Sequence, residues 1–222
     1  MVFDVQTSVY VPVMYVLMTG KSENMYWHAL HWVYVCSNWK LDPFLVTCDF
    51  EAGLQKAVIG QFTNAILNGC LFHWKQAIRR KMKDIGIHSE QVEWGMTKDV
   101  LDYLTVIPRD EIRGKEIDYV QSIIDPHVET DEDKFKWGLF WEYFTRYWLS
   151  SDKVIASWNV YGEELVQNRT NNPLERYNRT LNDKFPTPHP SLLSFVTTIE
   201  EESCHQVTRL SDIHIQKTKK HL

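Results

Sequence analysis

The sequence has no apolar run long enough to cross a membrane, and it is poor in glycine and proline. Its longest apolar run, residues 10–18, is about half of the roughly 20 residues that a membrane-spanning helix needs. The start shows no basic segment followed by an apolar run, so we expect no secretory signal. The 9 Gly and 8 Pro among 222 residues exclude collagen-like and low-complexity chains. What remains is a globular protein with one sizeable core.

Cysteine and positive charge are scarce as well. The 4 Cys are scattered without a Cys-x-x-Cys pair, which argues against a secreted disulfide framework. Against 29 Asp+Glu stand 24 Lys+Arg, and the net charge of −5 excludes a nucleic-acid binder that works by bulk charge. Any contact with phosphate must come from a local basic stripe. Aromatic residues, in contrast, make up 13% of the chain and predict large core side chains.

The first 86 residues alternate between β-rich and helical patterns. The β-rich runs are residues 2–5, 10–18, 44–48 and 65–68. The helical segments are residues 22–37, 51–60 and 71–85. Strands that alternate with helices predict an α/β protein. In the first helix, apolar residues from Met25 to Cys36, with Trp32 among them, recur at helical spacing and predict one buried face.

The pattern changes after Gly86, because residues 90–158 show helical periodicity throughout. Aromatic residues within 137–148 predict a core helix, and the acidic run 129–133 predicts a solvated loop. We expect a further helix from Asn172 to about residue 184. A last helix is expected over residues 192–207, with a frayed lysine-rich end.

Asp49 is the first candidate site residue, because it comes directly after a β-rich run and before a helix. Ligands collect at the carboxyl ends of strands in open α/β sheets, and a carboxylate there suits Mg²⁺ or Mn²⁺. The alternative is that Asp49 caps the helix that follows.

The second candidate is the pair Cys70 and His73, which stands where a short strand meets a helix. The spacing resembles half of a zinc site, for which Cys204 with His205 is the remote second pair. A basic stripe follows on the same helix, and it would suit a phosphate backbone. Its members are Lys75, Arg79, Arg80 and Lys83. The alternative is an ordinary solvated helix face.

Glu175 is the third candidate. With Asn172 as N-cap and Pro173 in the first helical position, Glu175 takes the third position, where it can complete a capping box. That local role explains the residue fully, and a catalytic role is the alternative.

Taken in order, these segments resemble the Mutator-like (MULE) transposases. The resemblance rests on the apolar strand at residues 11–18, the block 47–51 around Asp49, the Cys-x-x-His segment 69–73, and the segment 170–175 that ends in Glu175. It implies an RNase H-like mixed sheet with flanking helices, interrupted by an all-helical insertion.

The domain boundaries that the resemblance implies follow the change in pattern. The first part of the RNase H-like core takes residues 1–88, the insertion 89–165, the last part of the core 166–210, and a C-terminal tail 211–222.

The family's chemistry is DNA cleavage and strand transfer with Mg²⁺ or Mn²⁺. The resemblance makes Asp49 and Glu175 metal ligands, lets His73 orient the scissile phosphate, and lets Cys70 fix its turn. It also implies transposon DNA as partner, a nuclear location and a possible homo-oligomer, and it gives the basic stripe a role in DNA binding.

One departure from the family affects the expected activity. The family's first catalytic Asp lies on an opening strand that we do not find in this sequence, and Asp4 stands where the second strand is expected. Two carboxylates hold two divalent cations poorly. We therefore expect impaired catalysis, and the alternative is a domesticated, non-catalytic module that binds DNA or protein.

Overall fold

The computed structural model describes residues 1–162, 170, 172–185 and 187–220, with the backbone alone at 214 and 216–220. The chain divides by internal packing into two compact units, one formed by Met1–Gly20 with Asn172–Leu222 and the other by Lys21–Asn171.

Helices dominate both units. In chain order the strands and α-helices are β1 (Val2–Asp4), β2 (Val9–Val11), α1 (Glu23–Cys36), β3 (Leu45–Cys48), α2 (Ala52–Gln61), β4 (Ile66–Gly69), α3 (Leu71–Ile85), α4 (Ser89–Gly95), α5 (Ile117–Ile124), α6 (Asp131–Trp148), α7 (Asp152–Trp158), α8 (Asn172–Asn182) and α9 (Leu192–Lys220). Single helical turns lie at Leu101–Thr105, Ile112–Glu116 and Asp125–His127. The predicted α/β class is confirmed.

The strands form two small sheets within the described residues. In the unit Lys21–Asn171, β3 and β4 pair in parallel, with Cys48 opposite Gly69, and α2 provides the crossover between them. In the other unit, β1 and β2 pair antiparallel, with Val2 opposite Val11. The α/β order is therefore present, in two-stranded sheets rather than one larger mixed sheet.

The core of the unit Lys21–Asn171 is helical and aromatic. The buried face of α3 carries Trp74, Ile78 and Met82, which are fully buried, as the helical periodicity predicts. This face packs against α6, where Phe140 and Phe144 are also fully buried. The predicted helical character of residues 90–158 is confirmed, because every regular element described there is helical.

The predicted buried face of α1 is wrong. No residue of α1 is buried, and Trp32 is 62% exposed. The helix packs mainly against α2, so one side of it is covered and the other is not. Its rings contact one another instead, with Trp27 stacked on His31 at 4.9 Å between ring centroids.

The prediction of a buried strand over residues 10–18 is also wrong. β2 ends at Val11, and Val13, Val16 and Leu17 are all exposed. Pro12 lacks the N–H that a strand needs to continue its ladder of hydrogen bonds, which gives the physical reason for the early end.

The acidic run 129–133 is not a loop throughout, because α6 begins at Asp131. Thr130 is its N-cap: the Thr130 hydroxyl accepts from the Asp133 backbone N–H at 3.0 Å and donates to Asp133 Oδ2 at 2.7 Å. Carboxylates in a first helical turn also face the positive end of the helix dipole.

In the unit formed by Met1–Gly20 and Asn172–Leu222, α8 and α9 are held by a buried polar network. Glu202 on α9 accepts from Lys184 Nζ and, at 2.6 Å, from Gln206 Nε2. Two aromatic rings, Phe185 and Phe195, stack at 5.6 Å. The final helix continues to Lys220 rather than fraying near residue 207, and no Gly or Pro interrupts it.

Candidate metal and DNA-binding site

The carboxyl ends of β3 and β4 place two of the predicted site segments side by side. Because Cys48 pairs with Gly69 in a parallel register, the residues that follow, Asp49 and Cys70, leave neighbouring strands at the same edge. The Cys70 N–H extends the ladder by donating to the Cys48 carbonyl at 2.7 Å. The parallel pairing therefore brings the two segments together at one edge of the sheet.

Asp49 is half-buried and held in a turn. Its Oδ1 accepts the Glu51 backbone N–H at 3.2 Å, and its carbonyl accepts Gln55 Nε2 at 3.1 Å. The N-cap of α2 is Glu51, so Asp49 forms a local Asx turn rather than the helix cap itself. The turn fixes the carboxylate at the end of β3.

Glu51 adds negative charge at this edge of the sheet, and Tyr26 is hydrogen-bonded to it. Glu51 lies 3.8 Å from Lys21 Nζ and is hydrogen-bonded to Tyr26. Burial, together with the hydrogen bond to Glu51 and the charge of Asp49, raises the pKa of Tyr26 to about 12. The negative field that disfavours a tyrosinate favours a bound cation. We had not predicted Glu51 or Tyr26, although an acid two residues after Asp49 was a visible signal.

Cys70 and His73 lie at the start of α3. Cys70 is fully buried in the N-cap position, and His73 is half-buried in the first turn. Their sulfur and imidazole nitrogen lie within 4.8 Å of each other, so the pair can share one ligand. The other pair considered, Cys204 and His205, is exposed on α9.

The neighbouring thiol of Cys48 is a poor metal ligand. Burial, then the charges of Asp49 and Cys70, raises its pKa to about 12. A protonated thiol binds metal weakly. The Cys48 thiol therefore does not favour a soft metal at this edge. The carboxylate of Asp49 is a hard oxygen donor, which suits Mg²⁺ or Mn²⁺.

Glu175 belongs to the other unit, where it lies half-buried in the first turn of α8. Its predicted place in the first turn is shifted by one position, because α8 covers Asn172–Asn182 and so includes Asn172 itself, which makes Glu175 the fourth helical residue rather than the third. Asp4, in the same unit, is engaged in the β1–β2 turn, where its carboxylate accepts from the Thr7 backbone N–H at 3.0 Å.

The basic stripe of α3 separates into exposed and engaged cations. Arg79, Arg80 and Lys83 are exposed, and among the described residues no carboxylate forms an ion pair with them. Lys75 is different, because its Nζ lies 2.5 Å from Asp102 Oδ2. The surface that can meet an anion is therefore formed by the three exposed cations, which we call the α3 stripe.

No helix in the described part of the chain is both long and apolar enough to span a membrane. No family model matches this chain, and neither a curated protein nor a solved structure shows significant similarity to it. The interpretation of the site therefore depends on its own residues and on the resemblance of its motifs.

Proposed function

We propose that this chain is a MULE transposase-like domain with an RNase H-like core, which cleaves DNA and transfers strands during DNA transposition in the nucleus. The observation that supports the proposal most is the position of Asp49 and the Cys70–His73 pair at the ends of two adjacent parallel strands. A metal-dependent phosphodiester chemistry needs a carboxylate at such an edge, next to a group that orients the phosphate.

In this proposal Asp49 and Glu175 would hold Mg²⁺ or Mn²⁺. The metal would supply charge neutralisation and an activated nucleophile for in-line attack on phosphorus. His73 would donate to a phosphate oxygen, since it stands in the first turn of α3, where backbone N–H groups also favour an anion. Cys70, fully buried, would fix that turn. Asp49 and Glu175 alone would hold paired divalent cations poorly, so we expect the activity of these two carboxylates to be weak.

The catalytic proposal is tested with supercoiled plasmid DNA in Mg²⁺ or Mn²⁺. We expect nicking that EDTA abolishes, and a loss on the order of 100-fold in Asp49→Asn and in Glu175→Gln, because a transition-state charge loses its partner. Glu93→Gln is the control, because Glu93 is an exposed acid on α4 outside this site, and we expect it to retain activity. Equal nicking by all four proteins would contradict the catalytic assignment.

The second candidate function is a domesticated, non-catalytic module that binds DNA through α3. The observation in its favour is the exposure of Arg79, Arg80 and Lys83 on one helix despite the net charge of −5. Phosphate contacts of this kind need local cations and no metal. DNA binding without metal-dependent nicking would select this function over the catalytic one.

The contribution of the α3 stripe is measured by the salt dependence of DNA affinity. DNA affinity falls as salt rises, and the double variant Arg79→Ala with Arg80→Ala should make this dependence shallower. The magnitude of the slope of log K against log salt should drop by about 2, since each contact releases about one counterion. Lys75→Met serves as the control, because Lys75 is engaged with Asp102, and its slope should stay close to that of the unaltered chain. An unchanged slope in the double variant would exclude the stripe from DNA binding.

A further inference from the structure

A cavity of about 450 Å³ lies within the helical part of the unit Lys21–Asn171, away from the edge that holds Asp49. It is formed by α4, by the turn Asp125–His127 and by the start of α6. Its lining combines carboxylates, imidazoles and one indole, namely His88, Glu90, Gln91, Trp94, His127, Glu129, Thr130 and Asp133. The volume is in the range of small-molecule sites and far above that of one water.

The lining of the cavity is acidic. Three of the lining residues are acids, and none of the lining residues is a lysine or an arginine. The other acids at the start of α6 are already paired, Asp131 with Lys134 at 3.5 Å and Glu132 with Lys136 at 2.6 Å. The lysines of this helix are therefore engaged outside the cavity.

Asp133 is the buried acid of this cavity, with 5% of its surface exposed. Its Oδ2 accepts the Thr130 hydroxyl at 2.7 Å, and that hydrogen bond lowers the pKa of the carboxyl group. Its Oδ1 is buried without a well-formed hydrogen bond among the described residues, and the Gln91 amide and His88, whose Nε2 lies 3.7 Å away, also help to lower the pKa of this carboxyl group. A buried ionised oxygen with such weak partners is costly, and a bound donor would relieve part of that cost.

Part of the lining of this cavity is aromatic and held in place. Trp94 lies against His127, with ring centroids 4.3 Å apart. Gln91 fixes the turn, because its Nε2 donates to the His127 carbonyl at 3.2 Å while its Oε1 accepts from Trp137 Nε1 at 3.1 Å. An aromatic face beside carboxylates attracts a cation with a flat apolar surface.

A bare metal ion fits this cavity less well than an organic cation. Among the described residues, no three acids or histidines of this lining bring their ligand atoms within 4.8 Å of one another. A guanidinium group has several donors and a planar face, and it suits both separated carboxylates and an indole.

We propose that this cavity binds a guanidinium group, with Asp133 as the buried acceptor, Glu90 and Glu129 as outer carboxylates, and Trp94 as the aromatic wall. The group can come from an arginine side chain of a peptide or from a free small molecule. The proposal does not depend on DNA cleavage or DNA binding by this chain.

The site is tested by isothermal titration calorimetry on the full chain with N-acetyl-argininamide. We expect a Kd on the order of 1 mM, as for a fragment of this size in an open site. N-acetyl-citrullinamide has nearly the same shape without the charge, and it should bind at least about tenfold more weakly, since the carboxylates then lack a cation. Similar affinity for the two probes would overturn the proposal.

Three variants assign the binding to these residues. Asp133→Asn should weaken binding about tenfold, and because Asp133 also belongs to the helix cap, its fold is checked by circular dichroism. Glu129→Gln removes an exposed carboxylate outside the cap and should weaken binding about threefold. Glu132→Gln is the matched control on α6, outside the lining, and should bind as the unaltered chain does. Unchanged affinity in both lining variants would refute the site.

Free arginine and a blocked pentapeptide with a central arginine distinguish the two sources of the group. Free arginine carries its own carboxylate, which the acids of the cavity repel. Tighter binding of the peptide supports a peptide side chain as the ligand, and equal binding of both supports a free small molecule. If no arginine probe binds at a probe concentration of about 10 mM, ten times the expected Kd, the proposal is overturned.

Discussion

Trp74→Ala is expected to destabilise the unit Lys21–Asn171 by about 3–5 kcal/mol, the range for deletion of a large buried aromatic side chain. Trp74 has no exposed surface. Its ring stacks on Trp158 at 5.6 Å and meets Phe144 edge-on at 6.2 Å between ring centroids. These contacts join α3 to α6 and α7, so the deletion leaves a cavity where three helices meet.

The variants Trp74→Phe and Phe135→Ala make the expectation specific. The Trp74 Nε1–H is buried without an acceptor among the described residues. Phenylalanine at this position reduces the packed volume, but it also removes the unpaired donor. We therefore expect Trp74→Phe to lower the free energy of unfolding by only about 1–2 kcal/mol. Phe135 on α6 is 67% exposed, and its replacement by alanine should cost less than about 1 kcal/mol. Urea denaturation followed by circular dichroism gives these free energies.

Hydrogen exchange should show where the loss of Trp74 acts. We expect faster exchange in α3 and α6, because the packing between them is lost. The Trp74 backbone N–H donates to the Cys70 carbonyl at 3.0 Å within the turn that holds His73, and alanine keeps that bond, so the candidate site should change only through the lost packing of the indole. A cost below 1 kcal/mol for Trp74→Ala would show that the aromatic cluster does not hold these helices together.

Lys184→Met is expected to destabilise the unit of Met1–Gly20 and Asn172–Leu222 by about 2–3 kcal/mol. Glu202 is 2% exposed, and Lys184 donates to one of its oxygens. Without the lysine, the buried carboxylate keeps hydrogen bonds from Gln206 and the Tyr177 hydroxyl but loses its paired cation. Removal of one partner of a buried pair costs about 3–5 kcal/mol, and we expect less here because the lysine is 39% exposed.

The double variant Lys184→Met with Glu202→Gln should recover most of that loss. It replaces an unpaired buried charge by a neutral amide that can still bond to Gln206. Hydrogen exchange of α8 and α9 measures the stability of this unit. A double variant no more stable than Lys184→Met would show that the buried charge is not the cause of the loss.

Acid pH should weaken the same network. Burial would raise the pKa of Glu202, but the hydrogen bonds from Lys184 and Gln206 outweigh that effect and lower the pKa below its ordinary value. A lowered pKa in the folded state means that the network stabilises the fold above the unfolded-state pKa, and the contribution is lost as the pH falls through the folded-state pKa. The stability difference between the unaltered chain and Glu202→Gln should therefore shrink at acid pH.

Sequence patterns predicted most of the individual helices, because their signals are local. The α3 helix has the predicted bounds, and its buried residues Trp74, Ile78 and Met82 have the spacing of one helical face. Ser22, a residue type favoured at helix N-caps, caps α1, and its hydroxyl accepts the Met25 N–H at 3.3 Å. These features depend on a few neighbouring residues and need no knowledge of the rest of the chain.

Burial and strand pairing were less predictable. The apolar stripe of α1 resembles a core face, yet Trp32 is largely exposed because no second layer covers it within this unit. The apolar residues after Pro12 resemble a buried strand, but they have no partner strand in the described sheets. A pattern of apolar residues shows what a segment could bury and not whether another element reaches it.

The candidate site also has features that local sequence predicts and features that only the tertiary structure shows. The sequence by itself determined the candidate residues, Asp49 after a strand and Cys70 with His73 at a helix start, because residue type and local pattern are enough to select them. Only the tertiary structure decided that β3 and β4 pair in parallel, that Asp102 engages Lys75, and that Asp133 closes a cavity. Those facts join residues far apart in the chain, and the free energy of such contacts depends on packing that no local pattern contains.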